Sequence, residues 1–135
     1  WVKDYVPYQV GGLFTSTENV EENREMVEKF VRAYQKGVAD YRAALLATDA
    51  DGKLVESDTT QEILEIVHKY VYANDPADKA YPKIRNGAMF ITEEARLDVA
   101  DVKAQVKWYQ DRGFVSADAD PAKFIDTSFI PALTE

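Results

Sequence analysis

One histidine, His68, and no cysteine limit the chemistry this chain can carry. Without thiols there is no disulfide, no thiolate metal site and no cysteine nucleophile. A serine nucleophile would need His68 as its base, beside Ser16, Ser57, Ser116 or Ser128. None of these serines stands in a Gly-x-Ser-x-Gly elbow. On a helix, the neighbours of His68 at four-residue spacing are Leu64 and Tyr72, not carboxylates. A lone histidine so placed is expected to pack or to be solvated, despite its value as a titrating group. Asp49, Asp51 and Gly52 imitate part of a calcium loop. The position that should supply the first acidic ligand is Ala47, so the segment reads as a turn. Asp118-Ala119-Asp120 reads in the same way, as a solvent loop followed by a helix cap.

The glycine pair Gly11-Gly12 lies in the apolar stretch from Val6 to Phe14. It forms no phosphate cradle, because neither Gly-x-Gly-x-x-Gly nor Gly-Lys-Ser/Thr is present. Two readings stand side by side. In one, the glycines mark a bulge in a buried strand. In the other, they let a ligand or a hinge backbone come close. On the second reading Tyr8, Gln9, Gly11 and Gly12 are the candidate ligand-binding residues. A phenol and an amide beside bare backbone are the convergent polar groups that a small-molecule pocket uses. No catalytic residue, metal ligand or cofactor is expected, and the chain is not read as an enzyme.

The elements that would position these residues follow from periodicity. Val2 to Phe14 reads as extended, with Pro7 suited to an edge. Val20, Val27, Val31, Tyr34, Val38, Tyr41 and Leu45 recur at helical spacing and predict one long amphipathic face, with a restart at Asn23. Gly37 sits inside that helix, where it costs about 1 kcal/mol against alanine, and could admit a close neighbour. Asp51-Gly52 is a turn signal. Thr59-Thr60-Gln61-Glu62 matches a capping box ahead of a second apolar face of Ile63, Ile66, Val67, Tyr70 and Val71. A short helix interrupted by Pro82 is expected from Ala77 to Arg85, then an extended run over Ala88-Met89-Phe90-Ile91. Asp98 caps a third clear helix carrying Val99, Val102, Val106 and Tyr109, and Gly113 ends it. Asp120-Pro121 opens a last short helix. Phe124, Ile125, Phe129 and Ile130 offer a final apolar anchor.

The length of 135 residues suits one domain, and a hydrophobic fraction of 46% is enough for a core. A net charge of −8 argues against nucleic acid as a partner, because phosphates require a basic face. It does not forbid a small anion held by local donors. The acidic residues Glu18, Glu21, Glu22, Glu25 and Glu28 crowd the start of the long helix, where the dipole favours them. No apolar run is long enough to span a bilayer.

Three blocks, in order, carry a family resemblance. The first runs from Val6 to Ser16. The second runs from Glu22 to Tyr34 and on through Gly37-Val38-Ala39-Asp40-Tyr41. The third runs from Asp98 to Val115 and ends in Phe124-Ile125-Asp126-Thr127-Ser128-Phe129-Ile130. Together they resemble the C-terminal part of periplasmic solute-binding proteins of ABC importers, of the sulfonate, nitrate, taurine or thiamine-precursor type. The resemblance implies an α/β fold of type II-like, two-lobed architecture. The present piece would be mainly helical with a few short strands, and residues 1–135 would form a single domain that is an incomplete lobe. It implies a periplasmic location, a small-molecule solute held in an interlobe cleft, and permease subunits in the membrane as partners. With Trp1 at its start, the chain is expected to be a fragment whose uncovered apolar patch promotes self-association. Two other readings stay open: an independent helical interaction domain, and an enzyme resembling thiamine-pyrimidine synthases, whose histidine and metal-binding chemistry this sequence lacks.

Overall fold

The computed structural model describes residues 10–134. Five α-helices make up the described chain: α1 (Thr17–Glu22), α2 (Arg24–Leu45), α3 (Thr60–Val71), α4 (Ala77–Gly87) and α5 (Val99–Asp111). Two single 3-10 turns, Glu93–Ala95 and Pro121–Lys123, accompany them.

The expectation of an α/β fold is overturned. Among the described residues there is no strand and no sheet, only two isolated bridges, Thr48 with Leu54 and Asp98 with Thr134. The reason is tertiary. The run Ala88–Ile91 has the composition of a strand, but side chains of α2 take its carbonyls. Tyr41 Oη donates to the Met89 carbonyl at 3.2 Å, and the Arg42 guanidinium donates to the Ile91 carbonyl. Residues 10–14 form no ladder either, and residues 1–9 of the expected extended segment lie outside the described ones.

α1 begins at Ser16, whose hydroxyl accepts from the Asn19 amide at 3.2 Å. Asn23 leaves helical geometry (φ −123°, ψ 31°) and separates α1 from α2, where the restart is expected. It does so through its backbone, since its side chain makes no cap bond. α2 then buries Val27, Val31, Val38, Ala44 and Leu45 along one side.

A tight turn follows α2. Asp49 Oδ1 accepts from the Asp51 and Lys53 amides at 3.0 and 2.9 Å, and Gly52 takes a φ of +77° that favours glycine. The capping box is not used. Thr59 is already in helical geometry without a cap bond. The buried Thr60 does the tethering instead: its hydroxyl accepts from the Ser57 amide at 2.8 Å and donates to the Ala44 carbonyl at 3.1 Å. The start of α3 is thereby fixed to the end of α2.

The core lies where α2, α3 and α4 meet. Ala44, Leu45, Leu64, Ala80, Ile84 and Ala88 are buried there, ringed by Tyr41, Leu46, Ile63, Val67, Tyr72 and Tyr81. Leu64 is 0% exposed. The predicted second face is thus corrected by one position: Leu64 points inward, while Ile66, Tyr70 and Val71 remain outside. α4 runs through Pro82 rather than breaking at it. Proline in a helix interior costs about 3 kcal/mol, and burial of Ala80 and Ile84 on either side opposes that cost.

Beyond α4 the chain lies as a strap along α2. Gln35 Nε2 donates to the Glu94 carbonyl at 3.0 Å, and Arg42 Nη2 meets Glu93 Oε1 at 3.4 Å. α5 is capped by Asp98, whose carboxylate accepts from the Asp101 amide at 2.9 Å. Gly113 ends α5 at a φ of +71°. The tail returns to both ends of the molecule. The Leu133 amide donates to the Leu97 carbonyl at 2.9 Å, and Arg24 reaches Ser128 Oγ at 3.0 Å while stacking 4.3 Å from the centre of the Phe129 ring.

Candidate functional site

The residues proposed from sequence are only partly in view. Tyr8 and Gln9 lie outside the described residues. Gly11 and Gly12 are exposed and in no strand. A Cβ added at Gly11 meets nothing within 4 Å, and one at Gly12 would touch Leu97 Cδ1 at 3.7 Å, an ordinary contact. Among the described residues, then, no backbone presses on either glycine closely enough to require it. A cleft between α2, α3 and α4 holds about 170 Å³, lined by Tyr41, Val67, Val71, Tyr72, Lys83 and Ile84 among others. Small-molecule pockets run to roughly 300 Å³ and above.

The titratable groups are spent on latches. His68 Nε2 donates to the Asp75 carbonyl at 2.7 Å, and its ring meets Tyr81 edge-on at 5.7 Å. It therefore joins the end of α3 to the start of α4. Lys83 Nζ donates to Asp75 Oδ2 at 2.7 Å; this bond lowers the carboxyl pKa of Asp75 and raises that of the ammonium. The Asp98 carboxyl is likewise lowered, first by the Thr134 hydroxyl and then by the Asp101 amide. Burial raises the Tyr41 phenol. No group of three acidic, histidine or cysteine side chains suited to a metal occurs among the described residues. Among the described residues no helix is long and apolar enough to cross a membrane.

One face of α2 is apolar and open. Met26, Phe30, Ala33 and Gly37 recur at helical spacing beside the buried row and are all exposed. Met26 is 52% and Phe30 55% accessible. Phe30 stacks on Tyr34 with ring centres 6.5 Å apart. A Cβ at Gly37 would meet nothing within 4 Å, so the helix surface there is open. One flank carries ion pairs four residues apart, Lys29 with Glu25 at 2.6 Å and Lys36 with Asp40 at 2.8 Å. Beside it runs an uncharged apolar stripe, three turns long, that adjoins the buried valine row on its other side. The step from 26 to 30, 33 and 37 is legible in the sequence, but the deeper valine row outweighs it there.

Two further apolar surfaces are bare. One is the outer side of α3 at Ile66, Tyr70 and Val71. The other is an aromatic group at the end of α5, where Trp108, Tyr109 and Phe114 touch and Arg112 lies 3.8 Å from the centre of the Trp108 ring. No protein-family model, no curated protein and no solved structure matches this chain.

Proposed function

We propose that this chain is a helical part of the solute-binding component of an ABC importer, acting in the periplasm. Such a component holds a small anionic or heterocyclic solute and passes it to permease subunits in the membrane. The observation that carries the reading is the stripe Met26–Phe30–Ala33–Gly37. α2 is apolar on its buried side and on the adjoining open side. A helix apolar over so wide an arc is built to be enclosed from both. On this reading the rest of the binding component covers the stripe, and solute contacts come largely from residues beyond those described. The order and spacing of the three sequence blocks favour the importer over other owners of such a helix.

The test is calorimetric titration of the product of the whole reading frame with alkanesulfonates, taurine, nitrate, bicarbonate and aminopyrimidines. Saturable binding of one class, without turnover, is the expected result. A well-folded product that binds none of them would overturn the proposal, and so would conversion of a pyrimidine precursor.

A second reading is favoured by the absence of strands among the described residues: a helical interaction domain that lays the same stripe against a partner helix. It predicts no solute binding and a stable complex with another protein.

A further inference from the structure

We propose that the Asn86–Gly87 peptide is a site of spontaneous deamidation that loosens the end of α4. The chain has four asparagines, Asn19, Asn23, Asn74 and Asn86, and only Asn86 precedes a glycine. Both residues of the pair are exposed, and a Cβ at Gly87 would meet nothing within 4 Å. The reaction needs the Gly87 backbone nitrogen to attack Asn86 Cγ. A side chain on the following residue obstructs that approach, and glycine has none. The new N–C bond closes a succinimide ring as ammonia departs. Water then opens the ring at one of its two carbonyls, giving aspartate or isoaspartate. In sum, the side-chain amide and one water become a carboxylic acid and ammonia, with no oxidant or cofactor.

Helical geometry holds the attacking nitrogen away from Cγ, so position within α4 matters. Asn86 and Gly87 are its last two residues, and the next residue, Ala88, has already left helical geometry (φ −57°, ψ 115°). Terminal turns open at far lower cost than whole helices. The rate is therefore gated by fraying of one turn. The product has consequences: a carboxylate at the negative end of a helix is unfavourable, and isoaspartate adds a methylene to the backbone two residues from the buried Ile84 and Ala88.

The experiment is prolonged incubation of the folded chain at mildly alkaline pH, followed by proteolysis and tandem mass spectrometry. The expected result is a gain of one mass unit at Asn86, slower than in the same chain unfolded in urea, with an isoaspartyl fraction and a lower melting temperature in the modified pool. Gly87→Ala should abolish most of the gain. Ile84→Ala, which loosens α4, should accelerate it. If that variant does not fold, amide exchange at Gly87 measured against the deamidation rate over a pH series reads the same gating. Modification confined to another asparagine, or none at Asn86 in the folded chain while the unfolded chain reacts, would overturn the proposal.

Discussion

The two halves of α2 are held by different means. From Tyr41 onward the helix shares a sealed apolar cluster with α3 and α4, in which Leu64 has no contact with solvent. Before Gly37 it keeps one valine row covered and leaves Met26 and Phe30 bare. Its specific ties to the rest of the chain include Gln35 bound to the Glu94 carbonyl, and Arg24 bound to Ser128 and stacked on Phe129. Apolar burial is worth about 25 cal/mol per Å², whereas exposed polar bonds contribute little net stability. Covering Met26 and Phe30 would therefore add to the first half of α2 the kind of burial that its second half already has.

The largest expected effect is on the sealed side. Leu64→Ala leaves a cavity among Leu45, Ala80 and Ile84, and substitutions of this kind cost about 2–5 kcal/mol. Chemical denaturation followed by circular dichroism should show it. Phe30→Ala, of comparable hydrophobic loss on paper, should change the isolated chain little because that ring is already in water. A large loss for Phe30→Ala would mean that its side of α2 is covered in solution, by self-association or otherwise, and light scattering would distinguish the two.

Thr60→Val comes next. The isosteric change removes the hydroxyl that joins the Ser57 amide to the Ala44 carbonyl in a buried place. Leaving those groups unmatched costs about 1–3 kcal/mol. Thr60→Ser keeps the bonds and should retain most of the stability. Equal loss from both variants would assign the effect to the methyl group instead.

Legibility from sequence divides along the same line. The positions of α2, α3 and α5, the break at Asn23, the Asp49–Gly52 turn and the caps at Asp98 and Gly113 can be read directly, because each depends on nearby residues of the chain, whereas α4 runs through Pro82 where an interruption is expected. The α/β class cannot be reached in this way. Ala88–Ile91 has strand composition, but Tyr41 and Arg42, nearly fifty residues earlier, decide where its carbonyls go. The inward face of α3 is only half legible for a related reason: Ile63 and Val67 of the expected row do pack against the core, but Leu64 is the residue sealed at its centre, and Ile66, Tyr70 and Val71 stay outside. Of the candidate site residues, Tyr8 and Gln9 lie outside the described ones, and Gly11 and Gly12, like Gly37, have room for a Cβ, so space alone does not distinguish them.

Gly37→Ala has opposite signs in the two states of the molecule. In the chain alone, the added methyl meets nothing and alanine favours the helix, so stability should rise by about 1 kcal/mol. Once a partner lies on that surface, the same methyl obstructs close approach and affinity should fall. A gain in melting temperature together with weaker assembly would support the bare stripe as an interface. A gain in both would make Gly37 incidental.

The smallest effect tests the strap. Glu94 and Ala95 both have a φ of +57°, a left-handed geometry that costs an L-residue about 1–2 kcal/mol. Ala95→Gly removes that cost but frees the unfolded chain, which returns about 0.5–1 kcal/mol. The net expectation is a gain of about 0.5 kcal/mol, visible as a small rise in the denaturation midpoint. The gain should depend on Gln35, since its bond to the Glu94 carbonyl is what holds the kink against α2. In the Gln35→Ala background the strap can relax, and Ala95→Gly should then bring nothing. An undiminished gain in that background would mean that the kink is set by its own internal bonds, Thr92 Oγ1 to the Arg96 carbonyl and Arg96 to Glu94 at 2.7 Å, independently of the helix beneath it.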